Sequence, residues 1–330
     1  MFKLRSLLSV LFVALLIVSS CKKPVEVNEA EVLATYLEST ENLLMKDYVN
    51  TDLPSIMPAS EVKTLNETGQ VYILDIRAAA DFTAGHIANA HNVALADVLA
   101  VLDTADLSGV EKIAVVCYTG QTAGFATCIL RLMGYDNAFS MKWGMCAWNE
   151  AFAGKWNTAI AGGNAYATQF TDVATEKNAT GELPVLETGK ETGLDILTDR
   201  ANAVLTEGFG AGSVSSATLF GNLEGYYIVN YWPADQYADP GHIPGAVQYT
   251  PKETLKLAAD LKTLPTDKPI AVYCYTGQTS AFITAYLRLL GYDAKSVLFG
   301  TNGMIYDIMV SKTMTTFSAA QIMGYDYVTE

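Results

Sequence analysis

The 330-residue sequence is poor in the side chains that build metal sites and nucleic-acid surfaces. It has three histidines and five cysteines and no C-x-x-C pair, which argues against a structural zinc site. Its 21 basic residues are outnumbered by 35 acidic ones, and a net charge of −14 opposes binding to nucleic acid or to anionic lipid surfaces. Charged residues make up only 17% of the chain and hydrophobic residues 50%, which excludes a disordered or fibrous protein.

Long apolar runs are also missing after the first twenty residues, so nothing later in the chain is predicted to span a bilayer. The start of the chain differs. Lys3 and Arg5 precede a short apolar run over residues 7–18, and small residues lead directly into Cys21. A secretory signal peptide typically has a basic start, a short apolar core and small residues before its cleavage site.

Small residues directly before a cysteine resemble the bacterial lipobox. The resemblance implies cleavage before Cys21 and a lipid on its thiol, with the polar residues 22–24 as a tether. The protein is then expected in the bacterial cell envelope, outside the cytoplasm, as a periplasmic or outer-membrane lipoprotein held by its acyl chains. The alternative is an ordinary signal peptide followed by an incidental cysteine.

The body of the sequence contains an internal duplication. Residues 117–122, Cys-Tyr-Thr-Gly-Gln-Thr, recur without change at residues 274–279. Two further motifs recur at nearly the same spacing: Gly-His-Ile at residues 85–87 and 241–243, and Gly-Tyr-Asp at residues 134–136 and 291–293. Identical motifs in the same order at nearly constant spacing indicate one domain present in two copies.

Each copy shows short apolar strands that alternate with helical segments. A helix is predicted over residues 29–45 and its counterpart over residues 191–205. Almost wholly apolar strands between helices predict an α/β fold, a parallel sheet with helices on both faces in each copy. The remaining predicted elements are strands at 71–74, 113–116, 226–229 and 270–273, and helices at 122–133 and 279–290, each closed by a glycine.

The duplication divides the chain into five predicted segments. Residues 162–190, rich in Gly, Thr, Asn and Glu, are predicted to be a linker between the two copies. The other segments are a signal peptide at 1–20, a tether and helix at 21–53, the first domain at 54–161, and the second domain with its leading helix at 191–330.

The repeated hexapeptide places a cysteine at the carboxyl end of a parallel strand, the edge at which open α/β sheets build their sites. Gly120 and Gly277 permit a tight turn in which successive N–H groups converge on the sulfur. Thr122 and Thr279 are predicted to cap the following helix, whose positive end then faces the sulfur. Such a cradle is expected to stabilise a thiolate and to lower its pKa. The alternative is a buried, inert cysteine.

These motifs resemble those of the tandem-domain rhodaneses. In the first copy, Asp-x-Arg at residues 75–77, Phe-x-x-Gly-His-Ile-x-x-Ala at 82–90 and Cys-x-x-Gly-x-Thr at 117–122 match the family pattern. In the second copy, the Gly-His-Ile turn and the cysteine loop match it. The resemblance implies two rhodanese-like domains and sulfurtransferase activity, and it covers nearly everything beyond the leader and the linker.

The resemblance also implies a double displacement with no metal or organic cofactor. A cysteine thiolate takes the outer sulfur of thiosulfate or a related donor, and the persulfide passes it to cyanide or a thiol acceptor. Backbone N–H groups of the loop would stabilise the persulfide anion. The residues implied are the catalytic Cys117 and Cys274; the substrate-binding Tyr118, Thr119, Gly120, Gln121, Thr122, Tyr275, Thr276, Gly277, Gln278 and Thr279; and the supporting Asp75, Arg77, His86 and His242.

Two functions other than catalytic sulfur transfer are compatible with a cysteine loop of this kind: phosphoryl transfer and non-catalytic sulfur carriage. Related phosphatases and arsenate reductases use a longer loop that ends in an arginine able to grip oxyanions. Ala123 and Ser280 stand at that position here, which argues against phosphoryl transfer. The second is a non-catalytic carrier or binding lipoprotein that presents persulfide sulfur to a membrane-associated partner.

The sequence departs from the family pattern at informative positions. Asn230 and Trp232 stand in the second copy where an Asp–Arg ion pair is inferred in the first. Gln121 and Gln278 replace a basic loop residue of many family members, so an anionic donor must be attracted by other groups.

The histidines and the remaining cysteines can be interpreted without a role in sulfur transfer. His86 and His242 are interpreted as stabilising a turn by hydrogen bonding rather than as acid–base groups. Cys128 is interpreted as a core residue. Cys146 lies near the family's closing loop, and a redox couple between Cys146 and Cys117 is the minority hypothesis.

Overall fold

The computed structural model describes residues 28–329, so the predicted signal peptide and Cys21 lie outside the described residues. The first copy forms a parallel sheet of five strands in the order β1-β5-β4-β2-β3. Central strands β2 and β4 pair in register from Val71 opposite Lys112 to Asp75 opposite Val116. The strands are β1 Ile56–Met57, β2 Val71–Asp75, β3 His91–Asn92, β4 Lys112–Val116 and β5 Ala138–Met141.

The second copy repeats this topology in a second five-stranded parallel sheet, with the order β6-β10-β9-β7-β8. The predicted α/β fold and the duplication are therefore confirmed. The strands are β6 Ser213–Val214, β7 Tyr227–Asn230, β8 Val247–Gln248, β9 Ile270–Tyr273 and β10 Ala294–Val297.

Helices lie between the strands, and short 3-10 segments complete the connections. The first copy contains α1 Glu29–Glu38, α2 Tyr48–Thr51, α3 Ala59–Glu67, α4 Ala79–Ala84, α5 Val98–Leu102, α6 Gln121–Leu132, α7 Met145–Trp148 and α8 Gly154–Ile160. The second contains α9 Gly193–Ala211, α10 Ser216–Gly221, α11 Ala234–Ala238, α12 Gln278–Leu289 and α13 Tyr306–Ser311.

The leading helices differ in extent from the prediction. Helix α1 ends at Glu38, because Ser39 adopts an extended conformation and its hydroxyl turns back to the carbonyl of Tyr36. Helix α9 runs to Ala211, past the predicted end, with a kink at Gly208 where φ is +74°. Apolar periodicity therefore located both helices, whereas local hydrogen bonds set their ends.

The two copies share one continuous hydrophobic core. Helices α6 and α12 pack against each other, and Phe125 and Ile129 of the first copy belong to the same buried cluster as Phe282 and Tyr286 of the second. Their backbones approach closely at Gly124, where a Cβ would lie 3.0 Å from the carbonyl oxygen of Gln278. The cysteine loops precede these helices, so this packing brings the two loops together at the interface.

Segments outside the two sheets also connect the copies. The chain that follows the first copy pairs Thr171 with His242 of the second, and the tail pairs Val328 with His86 of the first. Leading helix α1 also contacts the second copy, because Glu38 accepts a 2.7 Å hydrogen bond from the backbone N–H of Leu257. The predicted linker thus lies against the second copy, while the predicted domain boundaries stay a prediction.

No helix within residues 28–329 is both long enough and apolar enough to cross a membrane.

Candidate functional site

The first cysteine loop follows β4, and its backbone wraps around the sulfur of Cys117. Gly120 has a φ of +84°, which turns the chain so that its N–H donates to Sγ at 3.2 Å. The N–H of Ala123, in the first turn of α6, donates to the same sulfur at 3.3 Å. Cys117 is 5% exposed, so these two donors meet the sulfur in a nearly dry environment.

The prediction that Thr122 and Thr279 cap the following helices is wrong. Helices α6 and α12 begin one residue earlier, after Gly120 and Gly277, and neither start has a side-chain cap. The left-handed glycine already directs the first N–H groups toward the sulfur, so the sulfur occupies the place of a capping oxygen.

The expected lowering of the Cys117 pKa is also wrong. Burial raises the pKa of this thiol above its ordinary value. Backbone hydrogen bonds from Ala123, Thr119 and Gly120 act in the opposite direction, and the negative charge of Asp75 adds to the effect of burial. Desolvation of the thiolate outweighs the N–H donors because no cation contacts the sulfur directly.

The side-chain oxygens of the loop glutamines accept hydrogen bonds across the interface. Oε1 of Gln121 accepts a 2.7 Å hydrogen bond from the N–H of Phe299, and Oε1 of Gln278 accepts a 3.3 Å bond from the N–H of Trp143. A Cβ at Gly120 would lie 2.8 Å from Oε1 of Gln278. Each loop is therefore locked by the other copy.

Asp75 and Arg77 form the ion pair that the motif predicted. Nη2 of Arg77 lies 2.6 Å from Oδ2 of Asp75, and both side chains are 1% exposed. The same Nη2 donates to the carbonyl of Gly85 at 2.8 Å, and the guanidinium lies over the ring of Tyr118 at 5.2 Å. Nη1 of Arg77 is buried and has no hydrogen-bond partner. This cation therefore retains a free donor beside the loop.

The second loop has the same backbone but different surroundings. Trp232 replaces the arginine and stacks on the ring of Tyr275, with centroids 5.0 Å apart. Cys274 is 2% exposed, and its thiol donates to the hydroxyl of Ser280 at 3.6 Å while the N–H of Ser280 donates to the sulfur at 3.3 Å. In the first copy Ala123 stands where Ser280 stands, so that contact is specific to Cys274.

The histidines stabilise turns, as interpreted from the sequence. Nδ1 of His86 lies 2.9 Å from the carbonyl oxygen of Phe82, and its ring stacks on that phenyl group. Nδ1 of His242 makes the same contact with Tyr237.

The other loop residues are also engaged within the protein. The Thr119 hydroxyl accepts a 3.0 Å hydrogen bond from Nε2 of Gln121. The backbone carbonyl of Thr119 accepts a 3.1 Å hydrogen bond from the indole N–H of Trp156. In the second copy, the Thr276 hydroxyl accepts from the N–H of Gln278 at 3.2 Å.

Cysteines 117, 128, 146 and 274 are all buried free thiols. Cys128 is a core residue, as interpreted, with no exposed surface. The Cys146 thiol donates to the carbonyl of Phe152 at 3.0 Å, and burial raises its pKa to about 11. The structure therefore contains no Cys117–Cys146 disulfide, and Cys146 is a protonated thiol at neutral pH.

Cys117 opens into a cavity of about 450 Å³ at the interface between the copies. Its cations are Arg77 and Lys155, and Lys155 holds its ammonium 4.1 Å from the centroid of the Tyr118 ring. No motif marked Lys155, because it is an exposed side chain on α8, outside the family pattern. The second copy contributes Phe209, Leu298 and Phe299, and the predicted binding residues in the lining are Tyr118, Thr119, Gln121 and Thr122.

A buried cysteine at the end of a central parallel strand, held in a ring of backbone N–H groups, defines a class of proteins built for thiol chemistry at a helix N-terminus. Within that class, this chain belongs to the rhodanese-like domain family. The model of the rhodanese-like domain matches residues 58–151 and 222–304, together more than half of the chain. General sulfur transfer between a donor and an acceptor is the chemistry of this family.

Curated relatives support the same placement. The chain is 31% identical over 97 residues to thiosulfate sulfurtransferase GlpE of Shewanella oneidensis, a match that covers 29% of this chain and 94% of the relative. It is 28% identical over 96 residues to thiosulfate sulfurtransferase GlpE of Pseudomonas fluorescens SBW25, covering 29% of this chain and 85% of that one.

Solved structures match over longer stretches at lower identity. Thiosulfate sulfurtransferase from Pseudomonas aeruginosa is 16% identical, with 88% of this chain and 49% of that chain covered and a TM-score of 0.30. SseA of Escherichia coli, a 3-mercaptopyruvate sulfotransferase, is 16% identical, with 73% and 97% covered and a TM-score of 0.27. These scores are too low to bear on the activity of this chain.

Replacing Asp75 by alanine should strongly destabilise the first copy, because the Arg77 charge would remain buried without its partner. The expected loss is about 3 kcal/mol in the free energy of unfolding. Asn230→Ala at the matching position removes a neutral hydrogen bond to Tyr273 and should cost only about 1 kcal/mol. Urea unfolding of both variants checks this; equal losses would show that the Asp75 charge adds nothing.

Alkylation of Cys117 by iodoacetamide should accelerate with pH well beyond neutrality. The thiolate is the reactive form, and a raised pKa makes it the minor form at pH 7, so the rate should still be climbing above pH about 8.5, the pKa of a free thiol. Mass spectrometry of the Cys117 peptide follows the reaction, with N-acetylcysteine as the reference. A rate that levels off below pH 8 would contradict the raised pKa.

Proposed function

We propose that the protein is a sulfurtransferase that moves a sulfane sulfur from thiosulfate or a related anionic donor to a thiophilic acceptor through a persulfide on Cys117. The observation that carries this proposal is the position of Cys117: its sulfur accepts two backbone N–H groups and faces a cavity that also holds Arg77 and Lys155. A nucleophile, an anion cradle and two cations are the groups that such a transfer requires.

In the first step the thiolate form of Cys117, which is the minor form at pH 7 because burial raises its pKa, forms a bond to the outer sulfur of the donor. The donor's S–S bond breaks, and its electron pair leaves with sulfite when thiosulfate is the donor. The persulfide anion left on Cys117 lies closer to the cavity than the thiolate did, where it remains within the field of the N–H groups and the helix N-terminus. Cyanide or a thiolate then attacks the outer sulfur and regenerates the Cys117 thiolate.

The two cations near Cys117 would attract an anionic donor even though the protein is acidic and its loops are uncharged. Arg77 presents the buried, unpartnered Nη1, and Lys155 extends over the ring of Tyr118. Asp81 also lines this cavity, and its carboxylate accepts a 3.1 Å hydrogen bond from the Tyr118 hydroxyl. In a partly enclosed cavity, an anion interacts more strongly with the two local cations than with charges on the distant surface.

We assign the second copy a supporting role. The cation beside its loop is replaced by Trp232, and the Cys274 thiol is engaged by Ser280. Its contribution to the reaction is the wall of the Cys117 cavity at Leu298 and Phe299.

Serine substitutions separate the two cysteines. Cys117→Ser should lower the turnover of thiosulfate and cyanide to thiocyanate by about a thousandfold or more, because serine cannot form the persulfide. Cys274→Ser is the matched control and should retain most of the activity. Full activity in the Cys117 variant would contradict the mechanism. A Cys117 persulfide that forms but never discharges to cyanide or small thiols would favour the non-catalytic carrier.

We also propose that a lipid on Cys21 anchors the protein outside the cytoplasm of a bacterium. The support is the sequence of the leader: a basic start, a short apolar run and small residues before the cysteine. Cys21→Ser should move the protein from the detergent phase to the aqueous phase in Triton X-114 partitioning and abolish incorporation of labelled palmitate. Cys128→Ser, at a core cysteine, should change neither; unchanged partitioning of the Cys21 variant would contradict the anchor.

A further inference from the structure

The tail, residues 325–328, follows the second copy and runs across the first. Val328 and His86 exchange two backbone hydrogen bonds of 2.9 Å, and the N–H of Tyr325 donates to the carbonyl of Trp148 at 2.9 Å. These bonds fix the tail in one register on the first copy. The proposed sulfur transfer makes no direct use of it.

One side chain of the tail, Tyr327, contacts two groups of the first copy. The rings of Tyr327 and Phe152 pack edge-on, with centroids 4.8 Å apart. Gly85 lies beside both rings, and a Cβ at this position would come within 2.8 Å of Cζ of Phe152 and 2.8 Å of Cδ2 of Tyr327. A side chain there would collide with both rings. The backbone at residue 85 and the ring of Phe152 are therefore both fixed by contact with Tyr327.

The same two groups hold the guanidinium of Arg77. Nη2 of Arg77 donates to the carbonyl oxygen of Gly85 at 2.8 Å, and the guanidinium carbon lies 5.6 Å from the centroid of the Phe152 ring. Asp75 accepts from Nε and Nη2, which leaves the buried Nη1 as the donor without a partner. The bonds to Asp75 fix one edge of the planar guanidinium, and the carbonyl and the ring fix its tilt.

We infer that Tyr327 is a positioning residue for Arg77, so that the tail of the second copy completes the donor-binding site of the first. Tyr327 is not among the residues that line the Cys117 cavity, and it does not touch the donor. It fixes the Gly85 carbonyl and the Phe152 ring, and these fix the guanidinium that presents Nη1 to the donor. The inference rests on the proposed function, because it needs an anionic donor bound beside Arg77.

The second copy provides an internal comparison. There Thr171 pairs with His242 as the tail pairs with the first copy. The ring of the preceding residue, Phe170, stacks toward Phe220, with centroids 6.5 Å apart, and Trp232 stands in place of the arginine. The backbone pairing is therefore common to both copies, whereas the contact of a tail ring with the arginine's neighbours occurs in the copy that has the arginine.

Removing the Tyr327 ring tests the inference in the thiosulfate and cyanide assay. Tyr327→Ala should raise KM for thiosulfate about tenfold with a smaller effect on kcat, because a displaced Arg77 loses a charge-assisted contact with the bound anion. Tyr327 is 37% exposed, so folding is not at risk. Tyr327→Phe should keep the wild-type KM, since ring carbons make both contacts. An unchanged KM in the alanine variant would overturn the inference.

Tyr325→Ala is the matched control within the tail. The Tyr325 ring packs edge-on against Trp148, with centroids 5.0 Å apart, so this variant loses a comparable contact that does not involve the neighbours of Arg77. Its KM for thiosulfate should stay at the wild-type value. Equal rises of KM in the two alanine variants would show that the tail only supports the fold, and the positioning role would be wrong.

Mass spectrometry of Cys117 separates this inference from the proposed function. Thiosulfate should add one sulfur atom to Cys117 of the wild-type protein, and Tyr327→Ala should need a higher thiosulfate concentration for the same yield. If both proteins acquire the sulfur at the same concentration, the positioning role is wrong and the proposed function stands. If the wild-type protein acquires none, the proposed function fails, and the inference fails with it.

Discussion

The reciprocal hydrogen bonds between the two cysteine loops and the opposite copies are the constraint on which the rest of the site depends. The side chain of Gln121 accepts a hydrogen bond from the N–H of Phe299, and that of Gln278 accepts one from the N–H of Trp143. The two donor residues, Phe299 and Trp143, have left-handed φ angles of +62° and +65°. Non-glycine residues adopt this conformation only when their surroundings enforce it. These bonds join each copy to the other, and the Cys117 cavity acquires a wall from the second copy.

This interface explains why two copies with nearly the same backbone differ in their surroundings. Each loop supplies a glycine turn and a glutamine to the reciprocal contacts, so packing accounts for these two shared residues of the hexapeptide. The pair Asp75 and Arg77 makes none of these reciprocal hydrogen bonds, and its counterparts are Asn230 and Trp232. The residues beside the loops therefore determine whether a cation accompanies the sulfur.

Much of the fold and part of the site could be predicted from the sequence for local reasons. The strands, the helices after the loops, the Asp75–Arg77 pair and the histidine turns depend on residues close together in one copy. The predicted threonine caps failed because a left-handed glycine starts each helix one residue earlier. The predicted lowering of the Cys117 pKa failed because burial is a property of the packed molecule, and here its effect exceeds that of the N–H donors.

The sequence by itself determined that one α/β domain is present twice and that each copy carries a cysteine at the end of a central strand. It could do so because repeated motifs and apolar strands depend on residues that are close together in the chain. Only the tertiary structure decided that the Cys117 sulfur faces a cavity, and that Lys155 and Phe299 belong to its surroundings. Those two residues lie 38 and 182 positions from Cys117. Lys155 reaches the cavity from α8 of the same copy, whereas Phe299 reaches it because helices α6 and α12 pack against each other and bury apolar surface of both copies.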